Sequence, residues 1–436
     1  MKRFRKLIFW LHLATGLSMG LVVLIMSVTG VLLTYQRQIT AWADARGLDA
    51  GPPRPGARPL PAEELLARAR AAGGGEPTSI TWHADPARPV EVAFGRQRTL
   101  FLNAYTGEVL GEGNAAVRKF FSAVMSWHRW LGAEGERRAV GKAITGAANL
   151  GFLFLVLSGF YLWWPQNRTR KAFRNVLFFR RGLSGKARDF NWHNVIGIWA
   201  LIPLAVVVAS GVVISYPWAS DLVYRLAGDT PPPAGARGPG GPPSPGGPGR
   251  VSGGGERGGA GSGGRALAPG RGSGRGEPAG GPGREAAEPV SLAGIDPLLR
   301  RAALEVAGWR TISVSLSGVS PEAVTFTIDR GNGGQPHKRS QVTLDRSTGE
   351  VVRKETFADN SPGRRARSIL RFAHTGEVAG IVGQTVAGLV SAGAVVLVWT
   401  GFALAWRRFR AWWRRTQPDA RAASPGEAEL EEAVTV

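Results

Sequence analysis

Four long apolar runs stand out along the chain, at residues 7–35, 143–164, 192–216 and 379–406. A helix that rises about 1.5 Å per residue needs about 20 apolar residues to cross a hydrocarbon layer about 30 Å thick. Each run is long enough, so the pattern predicts an integral membrane protein with four transmembrane helices. The first run is also longer than the apolar core of about 7–15 residues in a signal peptide, which favours its retention as a helix.

The segments between the runs follow one order twice. A helical segment at 61–70 precedes alternating strand patterns at 79–83, 90–94 and 98–103, and a helical segment at 297–306 precedes strand patterns at 311–316, 323–328 and 340–345. The phrase Thr-Gly-Glu-Val ends both series, at 106–109 and 348–351, and Thr-Gly there is typical of a hairpin turn. Amphipathic stretches at 117–128 and 367–374 then lead into the next apolar run. The repetition predicts a tandem duplication.

The predicted fold is an α-helical membrane protein, in which a four-helix transmembrane bundle of two parallel repeats carries two small α/β modules on its outer side. The transmembrane helices are assigned to residues 1–35, 143–164, 191–217 and 376–406. The outward modules, each with its amphipathic helix, are assigned to 36–142 and 291–375. The connecting parts are a basic loop at 165–190, an outward segment with a Gly/Pro-rich flexible linker at 218–290, and a tail at 407–436.

The formal net charge of +22 would indicate nucleic-acid binding in a soluble protein. Here much of the excess flanks the apolar runs, in basic stretches at 2–6, 168–188 and 407–415. The positive-inside rule assigns these stretches to the cytoplasm. We therefore expect cytoplasmic termini, outward modules, membrane lipid as a partner and no nucleic-acid partner.

The sequence contains no cysteine. This excludes disulfides, iron–sulfur clusters, C-x-x-C redox chemistry and covalent attachment of haem through C-x-x-C-H. Any haem in this protein has to be held by non-covalent contacts and axial ligands.

Four histidines lie at or just before the four apolar runs: His12, His128, His193 and His374. The first three share the pattern H-x-x-x-G, and the fourth is followed by Thr-Gly. Under the duplication, His12 corresponds to His193 and His128 to His374, so the repeat predicts one imidazole pair at each membrane face. Paired histidines on facing helices with apolar walls suit a six-coordinate b-type haem. We therefore predict two haems, held by His12 with His193 and by His128 with His374.

Other residue types near the histidines support this interpretation. The glycines one turn further on would let a flat macrocycle approach the backbone, and these are Gly16, Gly132 and Gly197. Arg129 and Arg371 are candidates to meet propionates or an acidic ligand. The simpler alternatives are capping or interface histidines, and a zinc site, although structural zinc takes four N or S ligands. His83 and His337 are interpreted as surface residues.

The motifs at residues 12–16, 127–131, 191–199 and 373–380, together with Thr-Gly-Glu-Val in the strand modules, resemble the PepSY-associated transmembrane family. The resemblance implies a bacterial inner-membrane protein tied to iron uptake, similar to ferric-siderophore reductases that carry two haems. It implies that electrons cross from the inner to the outer haem and reduce a ferric siderophore, or another ferric chelate, in the periplasm. Some relatives carry a fused flavoprotein module. Here we expect a separate donor, either a flavoprotein reductase or the quinol pool.

Two other functions remain open at the level of sequence. The protein could be non-enzymatic, with PepSY-like modules that bind or inhibit a periplasmic peptidase or sensor. In that case, replacing all four histidines would leave its activity intact. An iron or siderophore permease is less favoured, because the apolar runs lack paired acids and the broken helices common in carriers.

Overall fold

The computed structural model describes residues 2–48, 50–52, 54, 56–95, 98–165, 169–233, 291–316 and 319–416. Its α-helices are α1 (Lys2–Leu33), α2 (Gln36–Ala45), α3 (Ala62–Gly73), α4 (Ala115–Trp130), α5 (Arg137–Trp163), α6 (Arg170–Leu177), α7 (Gly185–Ser215), α8 (Pro217–Leu226), α9 (Ile295–Glu305), α10 (Pro362–His374) and α11 (Gly380–Thr416). Its strands are β1 (Ser79–His83), β2 (Val90–Phe94), β3 (Arg98–Leu102), β4 (Val109–Gly111), β5 (Thr311–Ser315), β6 (Ala323–Asp329), β7 (Arg339–Asp345) and β8 (Val351–Glu355). Most of the predicted linker, and the tail from residue 417, lie outside the described residues.

Four helices in the described part are long and apolar enough to cross a membrane: α1, α5, α7 and α11. This confirms the prediction of a membrane protein with four candidate spans. Helix α1 packs against α5 and α11, and α7 packs against the same two helices. The spans therefore form a ring in which α1 and α7 occupy opposite corners.

Small residues bring the spans close together. A Cβ atom added at Gly20 of α1 would lie 2.6 Å from the Phe402 ring of α11, and one at Gly151 of α5 would lie 2.1 Å from the Met19 sulfur of α1. Between α5 and α7, the Asn149 side chain donates to the Val208 carbonyl at 3.1 Å. Close backbone approach and a few interhelical hydrogen bonds are the contacts that hold helices together where water is absent.

The strands form one antiparallel sheet in the order β4-β3-β2-β1-β5-β6-β7-β8. The sequence predicts two separate modules, but β1 pairs with β5 and joins them, with Ile80 opposite Val314. Helices α3 and α9 cover one face of the sheet. The strand residues buried beneath these helices occupy alternate positions, such as Ile80, Val92 and Phe326. The two groups of strands thus share one hydrophobic core.

The covering helices also satisfy each other's backbone groups. The first N–H of α3, at Ala62, donates to the Asp296 carboxylate of α9 at 3.1 Å. In return, the N–H of Leu292, just before α9, donates to Glu63 of α3. These exchanges satisfy N–H groups that a helix cannot satisfy internally. They tie the first module to the second at a point distant in sequence.

Both Thr-Gly phrases form the predicted hairpin turns. The Asn103 side chain accepts from the backbone N–H groups two and three residues later, at 2.8 and 3.1 Å. The Asp345 side chain does the same in the second turn, at 2.8 and 2.9 Å. The turn glycines Gly107 and Gly349 have φ values of 69° and 73°, which favour glycine. In the second turn, the Ser347 hydroxyl and these N–H groups hold the pKa of Asp345 at about 2.

Three short helices, α2, α6 and α8, were not among the predicted elements. Each has ten residues or fewer, a length at which helices depend on tertiary contacts more than on propensity. Helix α2 illustrates the dependence. Its buried Asp44 accepts from the backbone of Asn114 at 2.7 Å and from the Arg118 side chain of α4. Such contacts have no local sequence pattern.

Candidate functional site

Each of the four predicted histidines contacts a neighbouring span. His12 is on α1 and His193 is on α7, the two spans at opposite corners of the bundle. Their imidazoles are close enough to interact electrostatically. His128 is near the end of α4, and His374 is the last residue of α10. The remaining two lie elsewhere: His83 is in β1 with its Nε2 atom 2.9 Å from Glu91, and His337 is in a short 3₁₀ turn.

The predicted outer pair is brought together directly. The ring centroids of His128 and His374 are 6.2 Å apart, and the ring planes are inclined by 55°. When two imidazoles bind the same metal from opposite sides, each through a nitrogen at about 2.0–2.1 Å, their ring centroids lie about 6 Å apart. The separation of this pair therefore fits one metal centre held between the two rings.

Each imidazole has the same kind of partner on a neighbouring span, a serine or threonine hydroxyl within reach of its Nδ1 atom. The distances are 2.8 Å for His12 and Ser158, 2.9 Å for His193 and Thr400, 2.9 Å for His128 and Thr29, and 3.5 Å for His374 and Ser210. His374 has a second and closer partner in the Val207 carbonyl, at 2.8 Å.

The direction of these hydrogen bonds follows from the hydroxyl hydrogen. Each hydroxyl donates to the carbonyl four residues earlier in its own helix: Ser158 to Phe154 at 2.6 Å, Thr400 to Val396 at 2.7 Å, Thr29 to Ile25 at 2.7 Å, and Ser210 to Val206 at 2.6 Å. A hydroxyl has one hydrogen to donate, so toward the imidazole it acts as an acceptor. With the hydroxyl hydrogen on that carbonyl, each Nδ1 atom is the donor, and each neutral ring presents a bare Nε2 lone pair. For His374 the Val207 carbonyl, which can only accept, requires the same tautomer.

The outer pair is held in the neutral form. Burial lowers the pKa of His128 to about 4, and the nearby His374 ring adds to this effect. Burial also lowers the pKa of His374 below its ordinary value. Neutral imidazole is the form that binds a metal. The two rings are thus in the required protonation state at neutral pH.

Glycines of the neighbouring spans lie against the imidazoles. A Cβ atom would lie 3.5 Å from the Cε1 atom of His12 at Gly159, 3.7 Å from that of His193 at Gly401, 3.7 Å from that of His128 at Gly30, and 3.1 Å from that of His374 at Gly211. At Gly16 and Gly197 a Cβ atom would instead lie 3.9 and 3.8 Å from leucines of the adjacent span. Gly132 lies in the turn after α4, with φ of 75°. A macrocycle against these three glycines stays a prediction.

Hydroxyl and glycine are consecutive in all four places, a signal that the sequence analysis missed. The dipeptides beside the histidines are Thr29-Gly30, Ser158-Gly159, Ser210-Gly211 and Thr400-Gly401, one on each span, and α1 and α5 each contain a second Thr-Gly, at 15–16 and 145–146. The hydroxyl fixes the ring through Nδ1, and the missing side chain of the next residue leaves room for the ring edge. The dipeptide alone would not have identified these partners, because α1 and α5 contain two each.

The outer pair is surrounded by cationic side chains. Burial lowers the pKa of Arg129, and the pKa of Arg371 is lowered by burial and then by the guanidinium groups of Arg367, Arg129 and Arg37. One carboxylate opposes them, that of Glu377, which lies 2.7 Å from the Arg37 Nε atom. Like charges so close together repel each other, so this cluster favours anionic groups such as haem propionates or an acidic ligand.

Within the described part of the chain, no three histidine, cysteine or carboxylate side chains converge on one point that could hold a metal ion. The donor groups instead occur as pairs of imidazoles. Pairs suit a metal whose other ligands belong to a macrocycle, whereas a structural zinc site takes four protein ligands.

The chain matches the model of a known protein family. A family model described as a PepSY-associated TM region matches residues 9–408, which include all four histidines. No curated protein matches the chain.

Proposed function

Because the chain belongs to the PepSY-associated transmembrane family, we propose that it is a di-haem b electron conduit of the bacterial inner membrane. In this proposal it reduces a ferric siderophore, or another ferric chelate, on the periplasmic side. The electrons come from the cytoplasmic side through a separate flavoprotein reductase, or from the quinol pool.

The observation that carries the proposal is the common geometry of the four histidines. All four Nδ1 atoms face an acceptor that fixes the proton there, so four Nε2 lone pairs remain for ligation. A histidine that only caps a helix or packs at an interface needs no particular tautomer. Metal-bound histidines in proteins usually have such a partner on the other ring nitrogen.

The arrangement in the membrane supports two sites at different depths. Basic residues cluster at the start of α1, before α7 and at the end of α11, and the positive-inside rule assigns these ends to the cytoplasm. His12 and His193 then form the inner pair, and His128 with His374 forms the outer pair below the sheet. In this topology the two halves are parallel repeats and the strands form periplasmic modules.

When bound, haem would supply reversible one-electron transfer between its ferrous and ferric states. The chain's own residues do the rest. The imidazoles would hold the two haems, the hydroxyls orient the imidazoles, and the apolar spans exclude water from the space between the two sites. Arg129 and Arg371 neutralise anionic groups at the outer site. Each electron converts Fe(III) of the chelate to Fe(II), which hard oxygen ligands hold less tightly.

A reduced-minus-oxidised visible spectrum of the detergent-purified protein, with haem quantified per chain, tests the proposal. We expect two b-type haems. The double variant His12→Ala/His193→Ala should retain the outer haem alone, and His128→Ala/His374→Ala should retain the inner haem alone. A colourless protein from haem-replete cells would refute the conduit. Full activity after replacement of all four histidines would instead favour a binding role for the strand modules.

A further inference from the structure

A cavity lies between α2 and the sheet, outside the histidine pairs. Its volume is about 270 Å³, and Arg37, Asp44, Arg88 and Glu91 line it together with apolar residues. A second cavity, of about 410 Å³, shares Ala41, Ala45 and Arg88 with the first. Arg88 therefore lines two adjoining spaces, both of which open to solvent. We call these spaces the Arg88 cavity.

The acidic groups of the cavity already have polar partners. Asp44 accepts from the backbone of Asn114 at 2.7 Å and from the Arg118 side chain. Glu91 lies 2.9 Å from the Nε2 atom of His83. Neither carboxylate is left to balance a further cation on the cavity wall.

Arg88 has no such partner. Among the described residues, its guanidinium makes no hydrogen bond and no ion pair, and its Nε atom is buried. The side chain as a whole is only partly buried, so the cost of an unsatisfied buried donor falls on this one nitrogen. An anionic ligand in the cavity would remove that cost and would pair with the guanidinium in its preferred two-pronged geometry.

The same cavity is linked to the outer histidine pair. Arg37 lines it, and the Arg37 Nε atom lies 2.7 Å from Glu377. The Thr375 hydroxyl donates to the other oxygen of Glu377 at 2.9 Å, and Thr375 follows His374 directly. One ion pair and one hydrogen bond thus connect the cavity wall to the residue next to an outer ligand.

We propose that the Arg88 cavity binds the ferric chelate through carboxylate groups that pair with Arg88, next to the outer histidine pair. This inference rests on the proposed function and narrows its substrate class to anionic, carboxylate-bearing chelates. The bound iron would lie on the Arg37 side of Arg88, since that wall leads to Glu377 and His374.

The test is calorimetric titration of gallium(III) citrate into the full-length protein in phosphatidylcholine nanodiscs. Gallium(III) replaces iron(III) and is not reduced, so binding is measured whether or not haem or electron transfer is present. Failure of the haem spectrum and failure of this binding are therefore separate results. The variant is Arg88→Gln, and the matched control is Arg300→Gln, which removes an equal charge from an exposed position on α9.

We expect Arg88→Gln to weaken binding about tenfold to hundredfold, the usual effect of losing a charge-assisted hydrogen bond. Arg300→Gln should change it less than about twofold, as for a screened surface charge. Equal affinities of the wild type and Arg88→Gln would overturn the proposal, and so would equal losses in both variants. Binding that disappears when phosphatidylglycerol is added would assign the cavity to lipid phosphate and would also overturn it.

Discussion

The hydroxyl that faces an inner histidine allows a sharp test of the fixed tautomer. In the variant Ser158→Ala, the Nδ1–H group of His12 loses the acceptor that lies 2.8 Å away. Ser158 also donates to Phe154 at 2.6 Å, but that carbonyl keeps its place in the helix ladder. The main effect of the change is therefore a stranded imidazole donor between apolar helices.

The expected size of the effect follows from that donor. An unsatisfied buried donor costs about 1–3 kcal/mol. Loss of the hydrogen bond behind a metal-bound histidine typically weakens metal binding about 10- to 100-fold. The two ranges overlap, since about 1.4 kcal/mol corresponds to a factor of ten. We expect Ser158→Ala to weaken haem binding at the inner site about tenfold or more, and to raise the midpoint potential of that haem because the imidazole donates less charge to ferric iron.

The assay is titration of haem into the haem-free protein, followed by a potentiometric titration of the haem-loaded protein. Ser158→Thr should restore both values, because threonine fills the corresponding place at Thr29 and Thr400. Ser391→Ala is the matched control: Ser391 also donates to the carbonyl four residues earlier, at 2.7 Å, but has no imidazole partner among the described hydrogen bonds. An unchanged affinity and potential in Ser158→Ala, or the same shifts in Ser391→Ala, would refute the reasoning.

Two further predictions concern the outer pair and the junction of α7 with α11. Gly211→Ala places a Cβ atom 2.8 Å from the Asn149 amide and 3.1 Å from the His374 ring. We therefore expect the variant to lose the outer haem and to keep the inner haem, which serves as an internal reference. A spectrum with both haems would contradict this. Asp189→Asn removes a buried carboxylate that binds Arg188 and Arg407, each at 3.0 Å. Both arginines are nearly half exposed, so we expect a loss of about 1–2 kcal/mol in the free energy of unfolding, less than the cost of breaking a fully buried pair. The measurement is the thermal unfolding midpoint at a fixed scan rate, which should fall. An unchanged midpoint would show that the two ion pairs do not stabilise the fold.

Most of the regular structure could be predicted from the sequence, because its patterns are local. The apolar runs gave the four spans, and strand alternation gave β1 and β2 with their observed bounds. The spans extend beyond the apolar runs at their basic ends, as in α11, which continues to Thr416. Charged residues continue a helix without adding to its apolar pattern, so hydropathy alone ends the element too early.

The histidines themselves were predicted from the sequence, because the internal repeat placed them in register. Their partners were not found. Ser158 is 146 residues from His12, and Thr400 is 207 residues from His193. Nothing local to a histidine indicates which helix will pack against it. The glycines that contact the imidazoles were missed for the same reason, since spacing along one helix says nothing about its neighbour.

The sequence by itself determined most of the elements, and it predicted the duplication and the four imidazoles, because each depends on residue type and period along the chain. Only the tertiary structure decided that β1 and β5 join the two sets of strands, that a hydroxyl on an adjacent span fixes each imidazole, and that Arg88 has no partner in the described part of its cavity. These features depend on which surfaces meet after the chain has folded. Packing between distant segments sets them, and that packing is a property of the whole bundle and sheet.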